Sequence, residues 1–165
     1  PASGEGEGWR SRGGGKVWRT LTEFTLSSEP GHEREAMEQV TQAVLELNLS
    51  RARLDRLKTA VAEATMNAME HGNKYRPELP VLIRVRTSKT MLSVCITDQG
   101  GDQPIPDPET PDLEAKLAGR QSPRGWGLFL IQKMVDEMHV SSDEAHHTVE
   151  LILYLEGDGH DRQTA

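Results

Sequence analysis

The run EATMNAMEHGN, residues 63–73, sets Glu63, Asn67 and His71 four residues apart. On an α-helix that spacing stacks side chains on one face. The chemistry on offer is a carboxylate base, a neutral oxygen able to ligate a hard cation, and an imidazole that can hydrogen-bond. A solvated helix face would account for any one of the three. The set is harder to dismiss, because two glycine motifs follow it. Asp98-Gln99-Gly100-Gly101 closes an apolar, strand-like run. A carboxylate there can accept a hydrogen bond from an exocyclic amine, and glycine lets backbone come close to a planar ligand. The same four residues also suit an ordinary turn. Arg124-Gly125-Trp126-Gly127-Leu128 opens an apolar helical pattern. Amides at a helix start favour anionic oxygens, and Arg124 can add a charge-assisted contact; alternatively, the glycines serve only a tight connection. The chain has no glycine-rich loop ending in Gly-Lys-Ser/Thr, so this is not a P-loop.

These groups need elements to hold them. From Lys16 to Ser27 the chain alternates as a strand, with Trp18, Phe24 and Leu26 sharing one parity. Pro30 fits a first helical turn. After it Ala36, Met37, Val40, Ala43, Val44 and Leu47 predict an amphipathic helix ending near Asn48. Ser50 can cap a second helix from about Arg51 to Glu70, with Gly72 as its stop. Its core stripe is Leu54, Leu57, Val61, Ala64 and Ala68. Two alternating runs, Val81 to Arg86 and Leu92 to Thr97, flank Ser88-Lys89-Thr90 and predict an antiparallel hairpin. Residues 102–124 are rich in Pro, Asp and Gly, and so long a connection reads as a lid. A third helix starts near Gly125, with Leu128, Ile131, Val135 and Met138 on one face. A weak strand follows at 139–142. A stronger one runs from Thr148 to Leu155, with Val149, Leu151, Leu153 and Leu155 on one side. Strands and helices in this order predict an α+β fold, a two-layer sandwich of one sheet with three helices on one face.

Composition narrows the partners. With 165 residues the chain suits one domain with a real core. Its formal charge is −7 and no Lys/Arg cluster alternates with aromatics, which argues against nucleic acid. Backbone amides can still bind phosphate without net positive charge. The single cysteine, Cys95, cannot form an internal disulfide and reads as a core residue in a reducing, cytoplasmic setting. No apolar run is long enough to cross a bilayer and no signal peptide is visible. The first residue is Pro1 rather than Met, so we expect a longer natural chain. Residues 1–15 read as a Gly-rich tail or linker, 16–156 as the domain, and 157–165 as a polar tail.

Taken in order, the three motifs resemble those of the GHKL ATP-binding superfamily, which shares the Bergerat fold. Within it the likeness is greatest to bacterial anti-sigma-factor serine/threonine kinases. EATMNAMEHGN resembles that group's N box, ITDQGG its first glycine box and RGWGLFLI its second. The resemblance covers roughly residues 16–156 and implies a mixed, mainly antiparallel sheet. It implies that Asn67 is the protein's ligand to Mg²⁺, beside ATP phosphates and water, and that Glu63 is the general base for a substrate hydroxyl. It implies that Asp98 accepts from the adenine amino group, that Gly100 gives the base room, and that Gly125, Gly127 and Leu128 offer amides to phosphate. Arg124 joins the phosphate contacts, Thr148 matches a threonine that helps bind adenine, and His71 orients the helix end or touches phosphate. The chain departs from the pattern at Asp102, where a second glycine is usual, and at His147, where glycine often precedes the late threonine.

The function so implied is an ATP-dependent kinase that phosphorylates a small STAS-type anti-sigma-factor antagonist and sequesters a sigma factor, and the resemblance implies a homodimer. Two alternatives stand beside it. One is the ATPase output domain of a larger sensor kinase, which would need a phosphoacceptor helix pair before residue 16. The other is a non-catalytic switch that holds ATP or a sigma factor. Retention of both Glu63 and Asn67 speaks against the latter.

Overall fold

The alternating runs assemble into one five-stranded sheet, and the amphipathic runs cover one of its faces. The computed structural model describes residues 17–101, 107–108 and 123–155. Strand β1 spans Arg19–Leu26, β2 Val81–Thr87, β3 Met91–Asp98, β4 Glu137–Ser142 and β5 His147–Tyr154. The sheet order is β1-β2-β3-β5-β4. All four pairings are antiparallel, so the described sheet has no parallel pair and is not mixed. Helix α1 spans His32–Ala43 and a short 3₁₀ turn follows at Leu45–Leu47; α2 spans Arg51–Asn67 and α3 Pro123–Met134. The lid expected over 102–124 and the two tails fall largely or wholly outside the described residues.

The core lies between the helices and the inward parity of the strands. Val81, Ile83 and Val85 of β2 meet Leu92, Val94 and Ile96 of β3, and Val40, Leu57, Val61, Leu128 and Ile131 close over them from the helices. The outward parity is polar. Arg86 and Glu150 form a buried ion pair there at 3.5 Å, and the Ser93 hydroxyl donates to Glu150 at 2.6 Å. Trp18 belongs to that outer face. A register shift between Thr20 and Thr22 reverses the parity of β1, so Trp18 stacks on the Arg86 guanidinium, 5.1 Å from the ring centre, while Phe24 and Leu26 turn to the core. The shared parity expected of these three residues is therefore broken by a bulge.

The helix boundaries also follow local chemistry. The Ser50 hydroxyl accepts from Arg53 N at 3.2 Å and caps α2. The α-helical part of α2 stops at Asn67, earlier than the expected Glu70, and the chain continues as a π turn over Ala68–Gly72. A π turn inserts extra backbone into a helix and often marks a functional position. Among the described residues no helix is long and apolar enough to cross a membrane.

Candidate functional site

The end of α2, the end of β3, the start of α3 and the start of β5 meet at one edge of the sandwich. Asn67 is the last α-helical residue of α2 and is buried. Its side chain faces Gly127 of α3. A Cβ on Gly127 would stand 2.6 Å from Asn67 Nδ2 and 3.1 Å from Oδ1. Only glycine lets the two helices approach this closely. Asn67 Nδ2 is buried with no hydrogen-bond partner among the described residues. Amide oxygen and nitrogen are interchangeable by a flip, so the group offers either a donor or an oxygen ligand to something that is not protein. One turn earlier on α2, Glu63 opens on a shallow groove of about 100 Å³ between α2 and α3, lined by Thr59, Ala60, Leu130, Ile131 and Met134.

Asp98 ends β3 and is 2% exposed. Its Oδ1 accepts from Gly100 N at 2.8 Å, an Asx turn that folds the backbone sharply after the strand. The carboxyl group rests on the end of the π turn. A Cβ on Gly72 would lie 2.7 Å from Oδ1 and closer still to Cγ and Oδ2. Gly72 is thus required by close approach and not by a left-handed stop. Gly100 is held in turn: a Cβ there would be 2.8 Å from the Gly72 carbonyl oxygen.

Asn73 joins these pieces, and sequence pattern gave no warning of its role. It is fully buried. Its Oδ1 accepts from Gln99 N at 2.7 Å, while Nδ2 donates to Ser28 Oγ at 2.9 Å, Leu79 O at 2.9 Å and Pro80 O at 3.3 Å. One carboxamide therefore fixes the β3 end against the helix end and the chain entering β2. A single buried polar residue has no periodicity, and only a count of its bonds reveals it.

The remaining expected residues divide. His71 is half-buried, with Nε2 3.8 Å from Glu70 Oε2. The π turn removes the four-residue register that would stack it above Asn67. Helix α3 begins at Pro123, two residues before the expected Gly125. Only the first four amides of an α-helix lack an intrahelical acceptor. Gly125 lies in that first turn, whereas the amides of Gly127 and Leu128 lie past it. Leu128 is a core side chain, 1% exposed. The Arg124 side chain falls outside the described residues.

Thr148 is not brought to the site. It pairs across the sheet with Thr97, hydroxyl to hydroxyl at 2.9 Å, on the face away from the helices. Strand alternation puts its neighbour His147 opposite Asp98 instead, on the helix-covered face. His147 is 2% exposed, and its Nδ1 stands 3.3 Å from Asp98 Oδ1. That approach lacks the alignment of a hydrogen bond, and Nδ1 has no hydrogen-bond partner. The expected side of β5 already held the signal, since Val149, Leu151 and Leu153 share the parity of His147.

Tight glycine contacts, a buried carboxylate at a strand end and an unsatisfied buried carboxamide on the neighbouring helix thus converge at one edge of the sandwich. Comparison with known proteins gives the family of the chain. The family model of the histidine kinase-like ATPase domain matches residues 26–153. The chain belongs to this family. The described sheet, helices and site all lie within or beside the matched span of the histidine kinase-like ATPase domain. Among curated relatives, the chain is 29% identical over 137 residues to the anti-sigma F factor of Bacillus cytotoxicus, covering 81% of this chain and 92% of that one. It is 32% identical over 117 residues to the serine-protein kinase RsbW of Bacillus subtilis, covering 67% and 71%. A crystal structure of the RsbU and RsbW domains of Rv1364c from Mycobacterium tuberculosis superposes with a TM-score of 0.57 at 15% identity, covering 80% of this chain and 31% of that one. That likeness speaks to the fold.

Proposed function

We propose that the chain is an ATP-dependent serine/threonine kinase of the anti-sigma type. It would phosphorylate a small STAS-type antagonist, bind a sigma factor directly and act as a homodimer. The observation that carries this is the meeting of Asn67 with Gly127 one turn from Glu63, with Asp98 packed on Gly72. Similarity to proteins named anti-sigma F factor and serine-protein kinase RsbW supplies the class.

The residues present fit a magnesium nucleotide. Asn67 is an orphaned buried carboxamide, and Mg²⁺ commonly takes one or two protein oxygens and completes its shell with phosphate and water. At 72, 100 and 127 any Cβ would collide with Asp98, the Gly72 carbonyl oxygen or Asn67, so glycine lets the backbone pack directly on these side chains. When bound, Mg·ATP supplies the transferable phosphoryl group and neutralises charge on it. The chain does the rest. Asp98 accepts from the exocyclic amine of the base. Gly72 and Gly100 let the backbone pack on the Asp98 carboxyl group and so fix where it stands. Asn67 presents its oxygen to the metal. Glu63, half-buried at the α2–α3 groove, accepts the proton of the acceptor hydroxyl as that oxygen becomes the nucleophile.

Calorimetry with ATP in the presence and absence of magnesium, followed by transfer of radiolabel to candidate antagonists, tests this. Magnesium-dependent binding and a labelled serine or threonine are expected. Binding without transfer to any antagonist would leave a switch module and overturn the kinase reading.

A further inference from the structure

This inference rests on the ATP-site reading above. We propose that His147 is the positioning residue that sets nucleobase specificity: its imidazole holds the Asp98 carboxylate in the orientation that receives an exocyclic amine, and so selects adenine over guanine.

Three observations meet here. First, His147 and Asp98 are a directly opposed cross-strand pair and both are 2% exposed. Second, the ring nitrogen facing the carboxylate, Nδ1, is buried, lies 3.3 Å from Oδ1, and has no aligned hydrogen bond. Unpaired polar atoms this deep are costly. A small rotation of either group converts the contact into a charge-assisted bond if the proton is on Nδ1; with the proton on Nε2, two lone pairs would face each other. Third, the backbone holding His147 is fixed. The turn before it is closed by Asp143 Oδ1, which accepts from Ala145 N at 2.8 Å and His146 N at 2.7 Å. That turn also packs on the Asp98 loop, since a Cβ on Gly101 would be 3.0 Å from the Glu144 carbonyl oxygen.

The consequence is chemical. Gly100 N and His147 both address Oδ1 of Asp98. With that oxygen held from two sides, the carboxylate keeps one orientation and stays an acceptor. Adenine offers it an amine. Guanine offers a carbonyl oxygen at the same ring position, which an immobile acceptor oxygen repels. If the carboxylate were loose it could turn away, and discrimination would fall along with adenine affinity.

The test is calorimetry of the full chain with ADP and with GDP, using wild type, His147→Ala, His147→Gln, Asp98→Ala and the His147→Ala/Asp98→Ala double variant. His147→Ala should weaken ADP about 10-fold, the worth of one charge-assisted hydrogen bond. Its effect on GDP should be under about 2-fold, so the ADP/GDP ratio narrows. In the Asp98→Ala background the histidine change should cost nothing further. His147→Gln, which retains a donor, should recover part of the ratio; it also carries the test if the alanine variant fails to fold by circular dichroism. Equal losses for ADP and GDP, or a histidine effect that persists without Asp98, would overturn the proposal while leaving the ATP site standing. A wild type that binds neither nucleotide would overturn the site itself.

Discussion

Removing the Asn73 carboxamide should loosen the fold and the nucleotide site together. Asn73→Ala deletes three bonds of 2.7–2.9 Å, to Gln99 N, Ser28 Oγ and Leu79 O, at a position with no solvent access. Each is worth roughly 1 kcal/mol net, and a buried amide deprived of its acceptor costs a further 1–3 kcal/mol, so a loss of about 4–6 kcal/mol is expected. Against the roughly 5–15 kcal/mol that holds a domain together, this is a large fraction. At about 3 °C per kcal/mol for a chain of this size, the midpoint of thermal unfolding should fall by roughly 15 °C. Asn73→Asp is the sharper control. It keeps an oxygen for Gln99 N but turns a carboxylate toward the carbonyl oxygens of Leu79 and Pro80, so it should destabilise at least as much. Urea unfolding monitored by circular dichroism gives both numbers, and ADP calorimetry at low temperature reports the site. Variants within 1 kcal/mol of wild type with unaltered ADP affinity would refute the role drawn for this residue.

Three further outcomes are expected. Gly127→Ala should fold but bind magnesium nucleotide more weakly, because its Cβ would meet Asn67 Nδ2 at 2.6 Å; full retention of magnesium-dependent affinity would show that the contact is slack. Asn67→Ala should weaken nucleotide binding in magnesium far more than in chelator, and an equal loss in both would remove Asn67 as the metal ligand. Burial, and then the neighbouring Glu150 carboxylate, push the Cys95 thiol up to about 11 from its ordinary 9.0. The folded protein therefore holds this proton more tightly than the unfolded chain. The resulting stability is complete below about pH 9 and is lost as pH rises toward 11. Stability measured from pH 8 to 11 should fall less steeply in Cys95→Ala than in wild type; identical slopes would count against a protonated, buried thiol.

Much of this architecture was legible in the sequence, because the two hydrophobic periods are strong where elements are half-buried. The β2–β3 hairpin and the α2 stripe follow from alternation or from three- and four-residue spacing alone; of the expected α3 face only Leu128 and Ile131 lie on the helix, which ends at Met134, while Val135 follows it and Met138 sits in β4. What escaped are the features that periodicity does not carry. The bulge in β1 sends Trp18 to the outer sheet face, and nothing in its flanking residues announces it. The π turn after Asn67 ends at Gly72, which packs beneath Asp98, a contact between segments far apart in sequence. Thr148 shows a different limit. A motif resemblance put a hydroxyl in the site, but strand alternation puts His147 there and Thr148 on the opposite face. Glu63, Asn67, Asp98, Gly100 and Gly127, chosen on chemistry and spacing, lie on the segments that the structure brings together.

The central claim is that Glu63 serves as the base of a phosphoryl-transfer site whose ligand is held by other residues. The most direct measurement is single-turnover transfer from Mg·ATP to the antagonist by wild type and Glu63→Ala, with nucleotide affinity measured on the same samples. Glu63→Ala should keep affinity within about 2-fold of wild type and transfer more slowly by roughly 10²–10⁴-fold, the span of general-base effects. An unchanged rate, or a lost affinity that explains the whole deficit, would contradict it.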